Sequence, residues 1–185
     1  MRSRQTLPAL WLVSDLRNDA QLERALHRLP RGSGLIFRHY HLAPVRRARR
    51  FALLRALCRR RGHVAVLAGT TREARRLGAD GCYGAGARWG GSGLRLATAH
   101  SLREIAAANR AGADAVLLSP AFPTRSHPGA RVLGPLRLRL LARRAAMPVI
   151  ALGGMNPRSA RRLAGFGWAA IDGLSGKTDR KSEDS

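Results

Sequence analysis

Short, wholly apolar runs alternate along the chain with longer stretches whose apolar residues fall at helical spacing. The clearest run is Ala115 to Leu118, which suits a strand buried on both faces. Comparable runs are Pro8 to Ser14, Leu35 to Phe37, His63 to Ala68, Ala79 to Tyr83, Leu94 to Ala97, Met147 to Leu152 and Ala169 to Asp172. Between them the period turns helical. Leu22, Ala25, Leu26 and Leu29 share one helix face, and Phe51, Leu54 and Cys58 share another.

The punctuation agrees with this parse. Asn18 or Asp19 is placed to cap the first helix, which runs to Leu29. The second spans Pro44 to Arg61 and stops at Gly62. Thr70 or Thr71 opens a third, ending at Gly78, and Ser101 with Glu104 has the capping-box spacing for one that runs to Ala111. Leu136 to Ala146 reads as a further helix, and Asn156 before Pro157 caps another. The Gly84–Gly93 stretch lacks a full helical pattern, and so does the chain after the last strand. Leu77-Gly-Ala-Asp80 and Ala111-Gly-Ala-Asp114 repeat one signal: helix end, glycine, small residue, aspartate, strand.

Strands alternating with helices predict an α/β fold. Roughly eight of each in one domain point to a compact (β/α)8 TIM barrel with short or missing fourth and eighth helices. The barrel is expected over residues 1–176, and 177–185 as a polar, disordered tail. An open doubly wound sheet is the alternative, but no G-x-G-x-x-G stands at the first βα turn.

Length and charge refine the picture. The 185 residues suit one domain. No apolar run is long enough to cross a bilayer and no signal-peptide core follows Met1, so a cytoplasmic protein without a membrane partner is expected. Cys58 and Cys82 are too few for a disulfide framework and read as buried free thiols. The net charge is +23, and of 34 basic residues all but Lys177 and Lys181 are arginine. Such a charge raises nucleic acid or phosphorylated ligands as partners. The arginines recur on every predicted helix instead of massing in one arm. That describes solvated helix faces and argues against a sequence-specific nucleic-acid interface. Monomer and homodimer both stay open.

In a barrel the carboxyl ends of the strands share one mouth. Arg38, His39, Tyr40, Thr98, His100 and Asn156 fall there, with Asp15 and Asp172 the carboxylates best placed for a divalent cation. His100 is more readily a packed or capping histidine than a catalytic one. Ser119 opens a long polar loop, Ser119-Pro-Ala-Phe-Pro-Thr-Arg-Ser-His-Pro128. Proline cannot continue a buried ladder, so the sixth strand must end near Ser119. Gly153-Gly154 and Gly173-Leu-Ser-Gly176, after the seventh and eighth strands, suit a phosphate approached by backbone N–H groups. Asp80 and Asp114 precede strands and belong at the opposite end, in structural roles.

Leu10-Trp-Leu-Val-Ser-Asp15, Ala79-Asp-Gly81, Thr98-Ala-His-Ser-Leu-Arg-Glu104, the Pro-Ala-Phe-Pro-Thr-Arg-Ser126 loop and Val149-Ile-Ala-Leu-Gly-Gly154 resemble the thiamine phosphate synthase and TenI family, in order along nearly the whole chain. The resemblance implies a (β/α)8 barrel. It implies joining of hydroxymethylpyrimidine diphosphate to thiazole phosphate, with diphosphate leaving and Mg²⁺ assisting. By the same resemblance Arg38, Thr98 and His127 serve the diphosphate, and His127 in place of a lysine predicts activity that falls as pH rises. Thr124 and Ser126 hold ligand, while Gly153, Gly154, Leu174 and Ser175 cradle the thiazole phosphate. Asp15 is the one mouth carboxylate left for Mg²⁺, which is expected to arrive largely with the diphosphate.

The chain departs from the family pattern at Ile36 and Tyr40, at Ala68-Gly69, and at Gly84 to Ala87. These are positions where the family carries pyrimidine, diphosphate and metal contacts. Pro120 stands where TenI-type tautomerases carry a histidine. The alternatives are a TenI-like thiazole-phosphate enzyme working by acid–base chemistry, a non-catalytic phosphate-ligand binder and, from another class, a basic nucleic-acid-binding module.

Overall fold

The computed structural model describes residues 7–84, 93–125, 129 and 131–174. Strands β1 (Leu10–Val13), β2 (Gly34–Phe37), β3 (Val64–Ala68), β4 (Gly81–Gly84), β5 (Leu94–Ala99), β6 (Ala115–Leu118), β7 (Val149–Leu152) and β8 (Gly167–Ala170) pair in sequence order. All pairings are parallel, and β8 closes on β1. The closed barrel excludes the open sheet. Around it lie α1 (Leu22–Arg28), α2 (Pro44–Arg61), α3 (Thr71–Arg76), α4 (Leu102–Ala111), α5 (Gly134–Ala142) and α6 (Pro157–Arg161). A short 3-10 turn, Asp172–Leu174, follows β8. The predicted gap in the fourth helix falls on 85–92 and the predicted tail on 177–185, both outside the described residues.

The strands are mostly apolar because both faces are covered. Trp11, Val13, Ile36, Val66, Leu96, Leu117 and Ile150 fill the barrel interior. Their neighbours one residue away, such as Leu12, Leu35, Phe37 and Leu67, pack under α1 and α2. Gly34, one residue before the expected start at Leu35, is the buried first residue of β2. A Cβ there would lie 2.1 Å from the Trp11 ring, so a glycine is what lets the indole occupy the barrel floor. Trp11 Nε1–H donates to the Pro8 carbonyl at 2.7 Å.

Several boundaries move. The first helix begins as a 3-10 turn, Leu16–Gln21, capped by Asp15 in place of Asn18 or Asp19. Asn18 is buried, and its amide donates to the carbonyls of Val13 (3.0 Å) and Ile171 (3.1 Å), so it ties the end of β1 to the chain after β8. β8 lies two residues earlier than expected at each end, because Trp168 N–H donates to Ala9 and Gly167 registers with Ile150. α5 starts at Gly134 and stops at Ala142, short of Ala146. The chain instead turns at Arg143 to Ala145, and Asn109 on α4 takes the Arg144 carbonyl and Ala146 N–H, at 2.9 Å each.

The expected caps at Thr70, Ser101 and Asn156 are present, each accepting from a backbone N–H three residues on. Glu104, however, accepts from His100 N–H at 2.6 Å, one residue before the cap position that the box requires. Cys58 and Cys82 are buried free thiols, and burial pushes the Cys58 thiol up to about 12. His63, expected at a strand start, is buried with Nε2 3.0 Å from the Leu26 carbonyl oxygen, whereas His27 is exposed.

Candidate active site

The mouth at the carboxyl ends of the strands opens on a cavity of about 750 Å³. Each strand pleat decides which residue faces it. In β2 the alternation carries Ile36 inward, Phe37 outward, and then Arg38 and Tyr40 to the cavity wall. β4 brings Tyr83, and β5 brings Thr98 and, just past its end, His100. Thr124 and Arg125 come from the loop after β6, and Gly153, Gly154 and Asn156 from the loop after β7. Ile171 to Gly173, after β8, complete the wall.

Arg38, Thr98, Thr124, Gly153 and Gly154 are therefore brought together as the sequence suggests. Leu174 is not part of the wall; it packs against the apolar layers beneath the helices. Ser126, His127 and Ser175 lie outside the described residues. Tyr83 is the residue that motif reasoning missed. Burial raises the pKa of its phenol, and the neighbouring Thr98 side chain opposes that rise. Counting two residues along the pleat from Gly81 would have found it.

The loop after β6 is held by backbone bonds on both sides. Ala121 N–H donates to Leu152 at 2.8 Å and Phe122 N–H to Gly153 at 3.0 Å, which extends the β6–β7 ladder into the loops. Leu133 and Gly134 N–H groups donate in turn to Pro120 and Ala121. Gly153 and Gly154 have φ of 92° and 63°. A Cβ on Gly154 would lie 2.4 Å from the Pro123 carbonyl oxygen. These glycines thus let the proline loop close over the seventh loop. That is a packing demand in addition to any anion contact.

His100 Nδ1 lies 2.7 Å from the Ser119 carbonyl oxygen. That oxygen only accepts, so Nδ1 carries the proton and Nε2 has the lone pair in the neutral ring.

The two carboxylates offered for a cation are otherwise engaged. Arg17 places Nε 2.9 Å from Asp15 and Nη1 3.4 Å from Asp172, so one guanidinium sits between them. Burial of Asp15 opposes ionisation, but its hydrogen bonds to Arg17 outweigh that and hold its pKa below the usual value. Asp15 also caps the 3-10 turn and is not part of the cavity wall. Among the described residues no three metal-ligating side chains cluster. Among the described residues the mouth carboxylates do not fit a resident Mg²⁺.

Known proteins match this chain along most of its length. A thiamine-phosphate synthase of Alcanivorax borkumensis is 30% identical over 190 residues, spanning 94% of this chain and 88% of that protein. The chain belongs to the thiamine monophosphate synthase family. The sequence profile of that family matches residues 94–176. The solved thiamine phosphate pyrophosphorylase of Pyrococcus furiosus superposes with a TM-score of 0.75 at 26% identity, covering 94% of this chain and 89% of that one. Some sequence matches are shorter. Those to proteins of Aquifex aeolicus and Pyrococcus furiosus, 37% and 35% identical, span 42% and 37% of those proteins. No helix among the described residues is long and apolar enough to cross a membrane.

Proposed function

We propose that this member of the thiamine monophosphate synthase family joins hydroxymethylpyrimidine diphosphate to thiazole phosphate. The observation that carries the reading is a single cavity with a guanidinium and a hydroxyl, Arg38 and Thr98, in the same wall as the glycine loop Gly153-Gly154. One part of that wall offers donors for a leaving diphosphate, and another a small-residue approach for a monophosphate. In the reaction the carbon–oxygen bond breaks with its electron pair leaving on the diphosphate. The thiazole nitrogen lone pair then forms the new carbon–nitrogen bond. Arg38 and Thr98 stabilise charge growing on the departing oxygens. Neighbouring Arg125 adds a second guanidinium to the wall. Mg²⁺ belongs to this reading as the diphosphate's counter-ion, not as a tenant of protein carboxylates.

One observation favours the acid–base alternative, namely the Nε2 lone pair of His100 beside the cavity. A single experiment separates the two. Purified protein is incubated with both substrates, and with thiazole phosphate alone in deuterated water, and the products are weighed by mass spectrometry. Thiamine phosphate formation supports the synthase. Deuterium uptake into thiazole phosphate without joining supports the alternative, and neither outcome leaves a binder.

A further inference from the structure

Arg38 is held at both ends of its own peptide unit by side chains from other elements. Its N–H donates to Ser14 Oγ at 2.8 Å, and its carbonyl accepts from Arg47 Nε at 3.0 Å. Ser14 follows β1, and Arg47 projects from α2. Arg47 also donates to the Ala68 carbonyl at the end of β3 and to Glu73 at 2.6 Å, so its guanidinium is fixed in turn.

The hydrogens at Ser14 can be followed. Its hydroxyl oxygen accepts from Arg38 N–H, and it lies 2.8 Å from His39 Nδ1. The Asp19 carboxylate beside Nε2 only accepts, so His39 Nε2 carries the proton and, in the neutral ring, the Ser14 hydroxyl donates to Nδ1. Nε2–H donates to Asp19 at 2.8 Å. Donation thus runs one way, from Arg38 N–H through Ser14 and His39 to Asp19. Burial lowers the pKa of His39 while Asp19 opposes it, and the net lowering agrees with a neutral ring.

His39 also has an unusual backbone. Its φ is +33°, the one positive value among non-glycine residues of the described chain. The ring is 1% exposed and stacks on Phe37 with centroids 4.7 Å apart. Left-handed backbone in a residue with a side chain persists where its surroundings fix it. Here it turns the imidazole away from the mouth, while the residues on either side, Arg38 and Tyr40, face the cavity.

Serine, histidine and aspartate in this order share the connectivity of a hydrolytic triad. The chemistry differs, because Ser14 is fully buried and its oxygen already accepts from Arg38. We infer that Ser14, His39 and Asp19 form a hydrogen-bond relay that, together with Arg47, positions Arg38 toward an anionic substrate. They are positioning residues and touch no reacting atom. The inference rests on the reading of Arg38 as a diphosphate contact.

The test titrates inorganic pyrophosphate and, separately, thiazole phosphate into the full chain by calorimetry. Ser14→Ala removes the acceptor for Arg38 N–H with little change in volume. It should weaken pyrophosphate binding about tenfold, leave thiazole phosphate binding unchanged, and have no further effect when added to Arg38→Gln. His39→Asn is the second variant, because asparagine tolerates positive φ but is too short to span Ser14 and Asp19; it should show the same selectivity. Equal weakening of both ligands, additivity with Arg38→Gln, or parental pyrophosphate affinity in both variants would overturn the relay alone. If the parent protein does not bind pyrophosphate, the reading of Arg38 falls first and takes the relay with it.

Discussion

Asp80 Oδ2 lies 2.7 Å from the backbone nitrogen of Ala65, and the backbone N–H of Asp80 donates to the Ala65 carbonyl at 2.9 Å. Asp114 repeats both contacts with Arg95, each at 2.9 Å. Ala65 and Arg95 are each the second residue of a strand, β3 and β5. The repeated Gly-Ala-Asp signal is thus a device that extends the ladder below the barrel. The carboxylate caps an N–H that the next strand begins too late to reach.

Removing that cap should cost stability and spare the mouth. Asp80→Ala leaves the Ala65 N–H in a buried strand without its acceptor, a loss of about 1–3 kcal/mol. Urea unfolding would measure it. Pyrophosphate affinity should stay at the parental value, because the substitution lies at the far end of the barrel. Unchanged stability would mean that the carboxylate is ornamental.

Gly154→Ala should disturb the proline loop before it disturbs any anion. A Cβ 2.4 Å from the Pro123 carbonyl forces the two loops apart, at a residue whose φ is already 63°. A lower melting temperature is expected along with weaker thiazole phosphate binding. Weaker binding with an unchanged melting temperature would instead assign Gly154 to the phosphate alone.

Stability should decline as pH falls from about 7 to 5. Burial holds the pKa values of both His39 and His63 below 6.5 in the folded chain. Between the folded and unfolded values the unfolded state binds more protons, so acid favours unfolding. Asp15, Asp19, Glu23 and Glu104 are ionised more readily in the folded chain than out of it, and they add a second loss at lower pH, below about 4. Denaturant midpoints across this range would show it, and His63→Gln should shallow the upper step. A midpoint independent of pH between 7 and 5 would contradict the burial argument.

Mg²⁺ added to the protein alone should leave its melting temperature unchanged, because Arg17 already sits between Asp15 and Asp172. Mg²⁺ with pyrophosphate should raise it above pyrophosphate alone. Saturable stabilisation by Mg²⁺ in the absence of phosphate would reveal a resident site.

The order and number of strands, the α2 bounds, the caps at Thr70, Ser101 and Asn156, the structural aspartates and the family were all legible in the sequence. Each depends on a signal contained within a few neighbouring residues: an apolar run, a cap, a proline, a glycine. Which polar residues pair with one another became visible only in the folded barrel. Asn18 left its expected capping place because Val13 and Ile171, far apart in sequence, present carbonyls to it together. Arg17 pairs with Asp15, the carboxylate expected to meet a cation, and Gly34 joins β2 because Trp11 needs the space beside it. Ser14 and His39 carry no local mark of joining at the base of Arg38. Barrel closure brings the ends of neighbouring strands within hydrogen-bond distance, and pairings across that distance follow from geometry that no spacing along the chain records.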